Sequence, residues 1–424
     1  MRPQNRFLLT TLAGAAATAN ALRPVKRTGP LSIPAFASGL PTSELPLQNL
    51  AFQAALALAA GRRGGRRGLK GAAGVALTAA SAAGLVRLHR EAARSDEALE
   101  QALVDELGSD YRSRIREPFV PAPDAPLSRK SILLPDFGVR RRYRVEKDIA
   151  YGDHGRRNRL DVWRRKDLDH DARAPVLLQV HGGAWMMGQK EGQGEPLMAH
   201  LVQRGWVCVA PNYRLSPRST WPDHIVDVKK ALAWVKENIA EHGGDPEFVV
   251  ITGGSAGGHL CSLAALTPGL AEFQPGFERA DTSVAACVAF YGVYDFTNRH
   301  GTSREDMQPF LEKRVFKSLV ADDRARWEQA STISHVGPHA PPFFVLHGTN
   351  DSLVPVEQAR TFVDELRKAS TSPVAYAELP LAQHAFDILP SVRAAFTARA
   401  VERFLAVVRS EAGGPTPAEA VADS

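Results

Sequence analysis

The sequence predicts an α/β fold, with a mostly parallel central sheet covered by helices on both faces and an N-terminal helical region before it. From about residue 131, short apolar runs alternate with longer segments of helical periodicity. Such alternation is typical of a parallel sheet whose crossover helices cover both faces. We therefore expect an N-terminal region over 1–130, an α/β domain over 131–411 and a disordered Pro/Ala-rich tail over 412–424.

The charge of the chain is unevenly distributed. The formal net charge is +6, but residues 1–90 carry twelve Lys or Arg and one acidic residue, Glu44. These basic residues stand beside Ala- and Leu-rich runs and match no nucleic-acid recognition motif. The asymmetry therefore favours membrane contact, and we expect no nucleic-acid partner.

The N-terminal region opens with two arginines and an uncharged run over 7–22, which resembles a weak signal peptide. Two further charge-free runs, 45–61 and 71–86, flank the basic segment GRRGGRRGLK. One interpretation is a membrane hairpin over 45–86 with its basic turn in the cytoplasm. The alternatives are a soluble Ala-rich helix pair and a pair lying on the membrane surface. We expect a membrane-associated or cell-envelope protein, and otherwise a cytoplasmic one.

The α/β domain follows a charged helical segment, 91–120, and a Pro-rich linker, 120–127. An antiparallel strand pair over 143–152 and 158–165 is expected to open it. The further predicted strands are 174–183, 205–213, 247–255, 283–292, 342–348 and 374–379. The predicted helices are 221–245, 256–266, 356–369 and 390–408. A charged, helix-prone insert over 296–340 interrupts the alternation and is interpreted as a cap-like segment.

A G-x-S-x-G motif, Gly253 to Gly257, joins a predicted strand to a predicted helix. A sharp turn of this kind exposes the hydroxyl of Ser255 and needs small neighbours. The following helix offers its positive end and the N–H of Ala256 to a developing negative charge. This context predicts that Ser255 is a nucleophile.

An HGGAW motif closes an earlier strand. Two glycines let the backbone aim N–H groups at an oxyanion, so we expect Gly182 and Gly183 to donate together with Ala256. His181 is expected to brace the loop. Trp185 is a candidate for substrate binding, with a packing role equally open.

A serine nucleophile needs a base, and the base needs an acid that orients it. Asp351 follows the predicted strand 342–348, and His384 lies on the loop before the last helix. Both follow Ser255 in the order nucleophile, acid, base. Asp295 is the second choice of acid, whereas Asp387 lies too close to His384 in the chain.

These motifs, with NYRLSP (212–217), HGTNDSLVP (347–355) and QHAFD (383–387), resemble the hormone-sensitive-lipase-like branch of α/β-hydrolases, especially actinobacterial carboxylesterases. The resemblance implies the α/β-hydrolase fold and hydrolysis of small short- to medium-chain esters without metal or cofactor. It assigns the catalytic roles to Ser255, Asp351 and His384. HGGAW lacks the family's third glycine and also resembles kynurenine formamidases, so an aryl formamidase or amidase with the same triad is the alternative.

Overall fold

The computed structural model describes residues 2–24, 29 and 31–413; the remainder of the predicted tail, 414–424, lies outside the described residues. The N-terminal region forms five helices, α1 Pro3–Leu22, α2 Ser32–Glu44, α3 Pro46–Arg62, α4 Gly68–Ala93 and α5 Ser95–Leu107. The strands are β1 Arg144–Ala150, β2 Arg159–Arg164, β3 Ala174–Val180, β4 Val207–Pro211, β5 Gly244–Gly254, β6 Ala286–Phe290, β7 Phe343–Gly348 and β8 Val374–Leu379. The later helices are α6 Arg129–Leu133, α7 Glu195–Gln203, α8 Asp223–Asn238, α9 Ala256–Leu266, α10 Met307–Leu311, α11 Arg324–Ala330, α12 Glu357–Ala369 and α13 Val392–Glu411.

In the described residues the eight strands form one sheet in the order β1-β2-β4-β3-β5-β6-β7-β8. The first strand pairs antiparallel with β2, and β2 pairs antiparallel with β4. All pairings from β4 through β8 are parallel. The predicted α/β fold with its antiparallel opening pair is therefore confirmed.

The sheet is buried on both faces. On β3, Val176 and Leu178 belong to one core cluster with the apolar side chains of α8 and α9. Leu177 belongs to a second cluster with α7 and α13, because successive strand residues face opposite ways. Each face is thus covered by helices, which leaves the loops at the strand ends to carry chemistry.

Helix α5 is part of the second core cluster although it lies in the N-terminal region. Leu99 and Leu103 are fully buried there together with side chains of the sheet and of α13. The domain boundary at residue 130 stays a prediction, but apolar packing continues across it.

The first four helices form a bundle in which α1 and α4 pack closely. A Cβ atom added to Gly74 would lie 2.7 Å from the Phe7 ring, and one added to Gly84 would lie 2.6 Å from Thr18. The Thr18 and Ser81 hydroxyls are hydrogen-bonded at 2.7 Å across this interface. The predicted charge-free runs therefore form helices, α3 and α4, of which α4 packs against α1.

Within the described residues, one helical stretch, Gly68–Leu107, is long and apolar enough to cross a membrane. Helices of soluble proteins meet the same criterion, so the membrane hairpin over 45–86 stays a prediction. At about 1.5 Å per residue, the 17 residues of α3 span roughly 26 Å, less than the roughly 30 Å of a hydrocarbon core.

The insert over 296–340 contains the short helices α10 and α11. Its aromatic side chains stack on one another, with the Phe316 and Trp327 ring centroids 4.0 Å apart. Phe296 meets Trp185 of the HGGAW motif edge-on at 5.1 Å. The insert thus packs against the loop that follows β3; its action as a cap stays a prediction.

Because α5 is buried in the core, shortening one of its buried side chains should destabilise the protein. We expect Leu103→Ala to lower the free energy of unfolding by about 2–5 kcal/mol, because it leaves a cavity in the shared core. Urea denaturation measures the change. The control Leu134→Ala, at an exposed position, should change the value by about 0.5 kcal/mol or less. Equal effects of the two substitutions would contradict the integration of α5 into the core.

Candidate active site

Ser255 occupies a sharp turn between β5 and α9. Its backbone has φ 59° and ψ −120°, a left-handed conformation that side-chain-bearing residues rarely adopt. Its N–H donates to the carbonyl of Phe290 at 3.0 Å, which ties the turn to the neighbouring strand. A Cβ atom on Gly257 would lie 2.2 Å from the carbonyl oxygen of Val180, so the motif requires glycine there. The sequence predicted this turn from the same small residues.

Asp351 and His384 meet on the loops after β7 and β8. The Nδ1–H of His384 donates to Asp351 Oδ2 at 2.6 Å. The other carboxylate oxygen accepts the backbone N–H groups of Leu353 and Val354, each at 2.8 Å. The acid is therefore rigidly oriented, and it holds the histidine ring with its Nε2 directed away from the carboxylate.

The carboxyl group of Asp351 is fully buried and remains ionised. Burial alone would raise its pKa, but the charge of His384 and hydrogen bonds from His347 and His384 outweigh burial and lower the pKa. His347 lies 3.2 Å from Asp351 Oδ2 and donates to the carbonyl of Val354 at 3.0 Å. His347 thus supports the Asp351 carboxylate.

Tyr291 connects the serine turn to the histidine. Its ring centroid is 4.5 Å from that of His384, and its hydroxyl would lie 2.6 Å from a Cβ atom on Gly254. In the part of the chain that the structure describes, Ser255 and His384 form no hydrogen bond with each other. The structure therefore joins Asp351 to His384 and packs the Tyr291 ring against both His384 and the serine turn.

Gly182 lies beside Ser255, and its N–H already donates a hydrogen bond. A Cβ atom on Gly182 would lie 3.2 Å from the Ser255 Cβ. The Gly182 N–H donates to the side-chain oxygen of Gln193 at 2.7 Å. An oxyanion would have to displace Gln193 to use this donor.

The other two expected donors are Gly183 and Ala256. Gly183 has φ +124°, and a Cβ atom there would lie 2.2 Å from the carbonyl oxygen of Met187. Ala256 is the first residue of α9, where N–H groups have no intrahelical acceptor. Ala184, where the familiar motif has glycine, takes φ +51° as an alanine.

Trp185 is buried. Its indole N–H donates to His259 Nδ1 at 3.2 Å, and 2% of its surface is exposed. This arrangement corresponds to the packing role that the sequence left open, whereas contact with substrate stays a prediction.

Asp295 and His181 bond to groups other than the side chains of Ser255, Asp351 and His384. Asp295, the second choice of acid, accepts hydrogen bonds from Thr297 and from the N–H of His300. His181 stacks on Tyr213 with ring centroids 4.2 Å apart, and its pKa is lowered to about 4 by burial, which agrees with a bracing role.

Tyr291 and Gln193 were not singled out from the sequence. Tyr291 directly follows β6, so the rule that sites gather at carboxyl ends of parallel strands would have found it. Gln193 carries no comparable signal, because it lies in a Gly-rich loop without a motif. In the described residues, no group of three or more His, Cys, Asp or Glu side chains is arranged to hold a metal ion.

The chain is similar to known esterases in sequence and in fold. The BD-FAE family model matches residues 160–366. The chain is 51% identical to probable carboxylic ester hydrolase LipM of Mycobacterium tuberculosis over 98% of this chain and 96% of LipM. It is 51% identical to esterase LipQ of the same organism, over 75% and 76% of the two chains. Among solved structures, the butyrate-bound esterase Est2 of Thermogutta terrifontis superposes with a TM-score of 0.52 at 26% identity, over 65% of this chain and 96% of Est2.

The sheet order, the serine turn and the near full-length identity agree with the resemblance found in the sequence motifs. The fold expected from that resemblance and the ester-hydrolase class are both confirmed. The chain belongs to the α/β-hydrolase family of carboxylic ester hydrolases that includes mycobacterial LipM and LipQ.

Proposed function

We propose that the chain hydrolyses short- to medium-chain carboxylic esters through an acyl-enzyme on Ser255, with His384 as base and Asp351 as orienting acid. The observation that carries this proposal is the 2.6 Å hydrogen bond between His384 and a buried carboxylate at the sheet edge where Ser255 lies. A carboxylate so placed selects the tautomer in which Nε2 accepts a proton.

The reaction needs a serine oxygen that loses its proton as it attacks the ester carbonyl. His384 accepts that proton, and the resulting imidazolium is stabilised by Asp351. The proton then passes to the leaving alcohol when the tetrahedral intermediate collapses. Water attacks the acyl-enzyme with the same base, and Ser255 is regenerated.

The oxyanion is expected to accept hydrogen bonds from Gly183 and Ala256, and from Gly182 once Gln193 moves aside. Each such donor typically contributes about 3 kcal/mol of transition-state stabilisation. The Gly182 N–H already donates to the Gln193 oxygen. Binding of substrate would therefore replace this hydrogen bond with one to the oxyanion and would not add a hydrogen bond.

The short-chain preference is supported by the relative Est2, whose structure is described as butyrate-bound. The ester is favoured over the aryl formamide because the relatives LipM and LipQ are named as ester hydrolases. The triad itself would serve either bond, so substrate comparison is the direct test.

We also propose that the N-terminal bundle lies on a membrane surface. Eight of the fourteen exposed large apolar side chains of the described residues lie in the bundle: Leu9, Leu12, Leu31, Ile33, Phe52, Leu58, Leu69 and Val75. The turn between α3 and α4 adds Arg63, Arg66 and Arg67. Exposed apolar side chains beside a basic turn suit an anionic lipid surface.

Asp387 is excluded as the orienting acid by its contacts. Its carboxylate accepts the hydroxyl of Tyr291, while the Nδ1–H of His384 is committed to Asp351. Burial raises the pKa of Asp387 to about 6, and the hydrogen bond from Tyr291 opposes burial only in part. Asp387 therefore belongs to the packing around Tyr291.

The triad assignment predicts large losses of activity. Ser255→Ala should lower kcat on p-nitrophenyl butyrate by about 10⁶-fold, and Asp351→Asn by about 10⁴-fold, because the base is then misoriented. The matched control Asp295→Asn should keep wild-type kcat. Retained activity in Ser255→Ala, or an equal loss in Asp295→Asn, would contradict the assignment. N-formylkynurenine measured in parallel tests the formamide alternative.

The raised pKa of Asp387 predicts that the stability of the protein depends on pH. Because its pKa is higher in the folded than in the unfolded chain, its contribution is complete below about pH 4 and is lost as the pH rises through about 6. The variant Asp387→Asn has no carboxyl group to ionise, so it does not lose this stability as the pH rises. Its free energy of unfolding minus that of the wild type should therefore be about 3 kcal/mol larger at pH 8 than at pH 4. Urea denaturation at both pH values measures this difference, and a pH-independent difference would refute the explanation.

The membrane proposal predicts binding to vesicles. The protein should float with phosphatidylglycerol vesicles, and less with phosphatidylcholine vesicles or at high salt. Phe52→Gln and Leu58→Gln should each weaken binding roughly tenfold, because each removes an inserting apolar side chain. The control Leu319→Gln changes an exposed apolar residue outside the bundle and should leave binding unchanged. Absence of flotation of the full chain would defeat the proposal.

A further inference from the structure

Helix α2 of the N-terminal region packs directly on the loop that carries His384. The Phe36 ring meets the His384 ring edge-on, with centroids 5.9 Å apart and planes at 76°. A Cβ atom on Gly39 would lie 2.9 Å from the side-chain nitrogen of Gln383. One side of α2 therefore covers the proposed catalytic base and its neighbour.

The last residue of α2, Glu44, is buried in an ion pair with Arg393. Both side chains are fully excluded from solvent. Glu44 also accepts the hydroxyl of Ser391 at 2.9 Å, and Ser391 in turn caps α13 by accepting the N–H of Ala394 at 3.0 Å. The carboxylate of Glu44 thus holds the start of α13 through its contacts with Ser391 and Arg393.

Arg393 also reaches the opposite end of the His384 loop. Its guanidinium donates to the carbonyl of Pro380 at 3.1 Å, at the point where the loop leaves β8. The loop over 380–391 is therefore closed at its base by one side chain, and His384 lies between the two points that this side chain joins. A buried guanidinium needs an anionic partner, and the Glu44 carboxylate is the group that meets it. Burial raises the pKa of Glu44, and the charge of Arg393 opposes this rise.

The same N-terminal region contacts the loop of the acid. The Asn350 side chain donates to the carbonyls of Ala21 and Leu22 at 2.9 and 3.0 Å. The Ser352 hydroxyl donates to the carbonyl of Ser32 at 3.2 Å. Residues on both sides of Asp351 are thus bonded to the N-terminal helices, which hold the acid loop as well as the base loop.

We propose that Glu44 is a positioning residue for catalysis: through Arg393 and Ser391 it holds the loop that presents His384 to Ser255. The proposal rests on the role of His384 as base. A displacement of about 1 Å in a reacting group lowers a rate by about 10²-fold, and the loop base is where such a displacement would begin. The N-terminal region thereby positions a residue of the active site.

The test compares kcat, KM, the melting temperature and the labelling rate of Ser255 by a fluorophosphonate probe in the full chain. Glu44→Gln should lower kcat and the labelling rate 10- to 100-fold, with little change in KM. The matched control Glu106→Gln breaks the ion pair of α5 with Arg367 but keeps an oxygen that can accept the N–H of Val374, at the end of β8 remote from the loop. It should retain wild-type kcat.

A double variant, Glu44→Leu with Arg393→Met, separates positioning from stability. An apolar pair of similar volume restores the packing that a lone buried charge would disrupt. We expect its melting temperature to approach that of the wild type while kcat and labelling stay low, because the bond to Pro380 is lost. Recovery of kcat and labelling together with the melting temperature would overturn the proposal.

Arg393→Lys gives an independent measurement. Lysine keeps a positive charge beside Glu44 but lacks the planar fork that reaches Pro380 at the same time. The folded variant should share the loss of kcat, and wild-type kcat in this variant would also overturn the proposal. Failure of the probe to label the wild-type protein would instead refute the triad itself, so the two failures are distinguishable.

Discussion

The close approach of helix α9 to strand β3 is the constraint on which the active site depends. The carbonyl of Val180 occupies the space that a side chain at Gly257 would need, and the chain passes from β5 to α9 through the single residue Ser255. Ser255 takes the left-handed backbone that this passage demands. Such a conformation typically costs about 1–3 kcal/mol, and the packed sheet and helix around it maintain it. Ser255 is therefore placed by the rigid core, while Asp351 and His384 lie on loops.

Much of the catalytic domain follows from local patterns. The strands β3 to β8 are apolar runs bounded by loops, so alternation alone located them close to their observed positions. Asp351 and His384 were found because each follows a strand, and parallel strands bring their carboxyl ends to one edge of the sheet. Their pairing was expected because both also follow Ser255 in the order nucleophile, acid, base.

The contribution of the N-terminal region was not predictable in the same way. Glu44 stood out only as the single acid of a basic segment, and its partner Arg393 lies 349 residues later in the chain. Helix α2 carries Pro34 near its start and Pro41 inside it, which weakens any helical pattern. Contacts between distant segments leave no periodicity in either one. Gln193, which occupies the Gly182 donor, was missed because it lies in a Gly-rich loop without a motif.

The pairing of α1 with α4 has a consequence for the environment in which the protein works. Glycines at the crossing points and the Thr18–Ser81 hydroxyl pair hold these helices by close contact of small groups, beside an apolar cluster that contains Leu85 and Leu88. Helix pairs of this composition associate in hydrocarbon as they do in water, since dispersion and hydrogen bonding operate in both solvents. Partial immersion of the bundle in lipid would therefore leave this helix pair intact, and the enzyme would not have to unfold one partner to meet a bilayer.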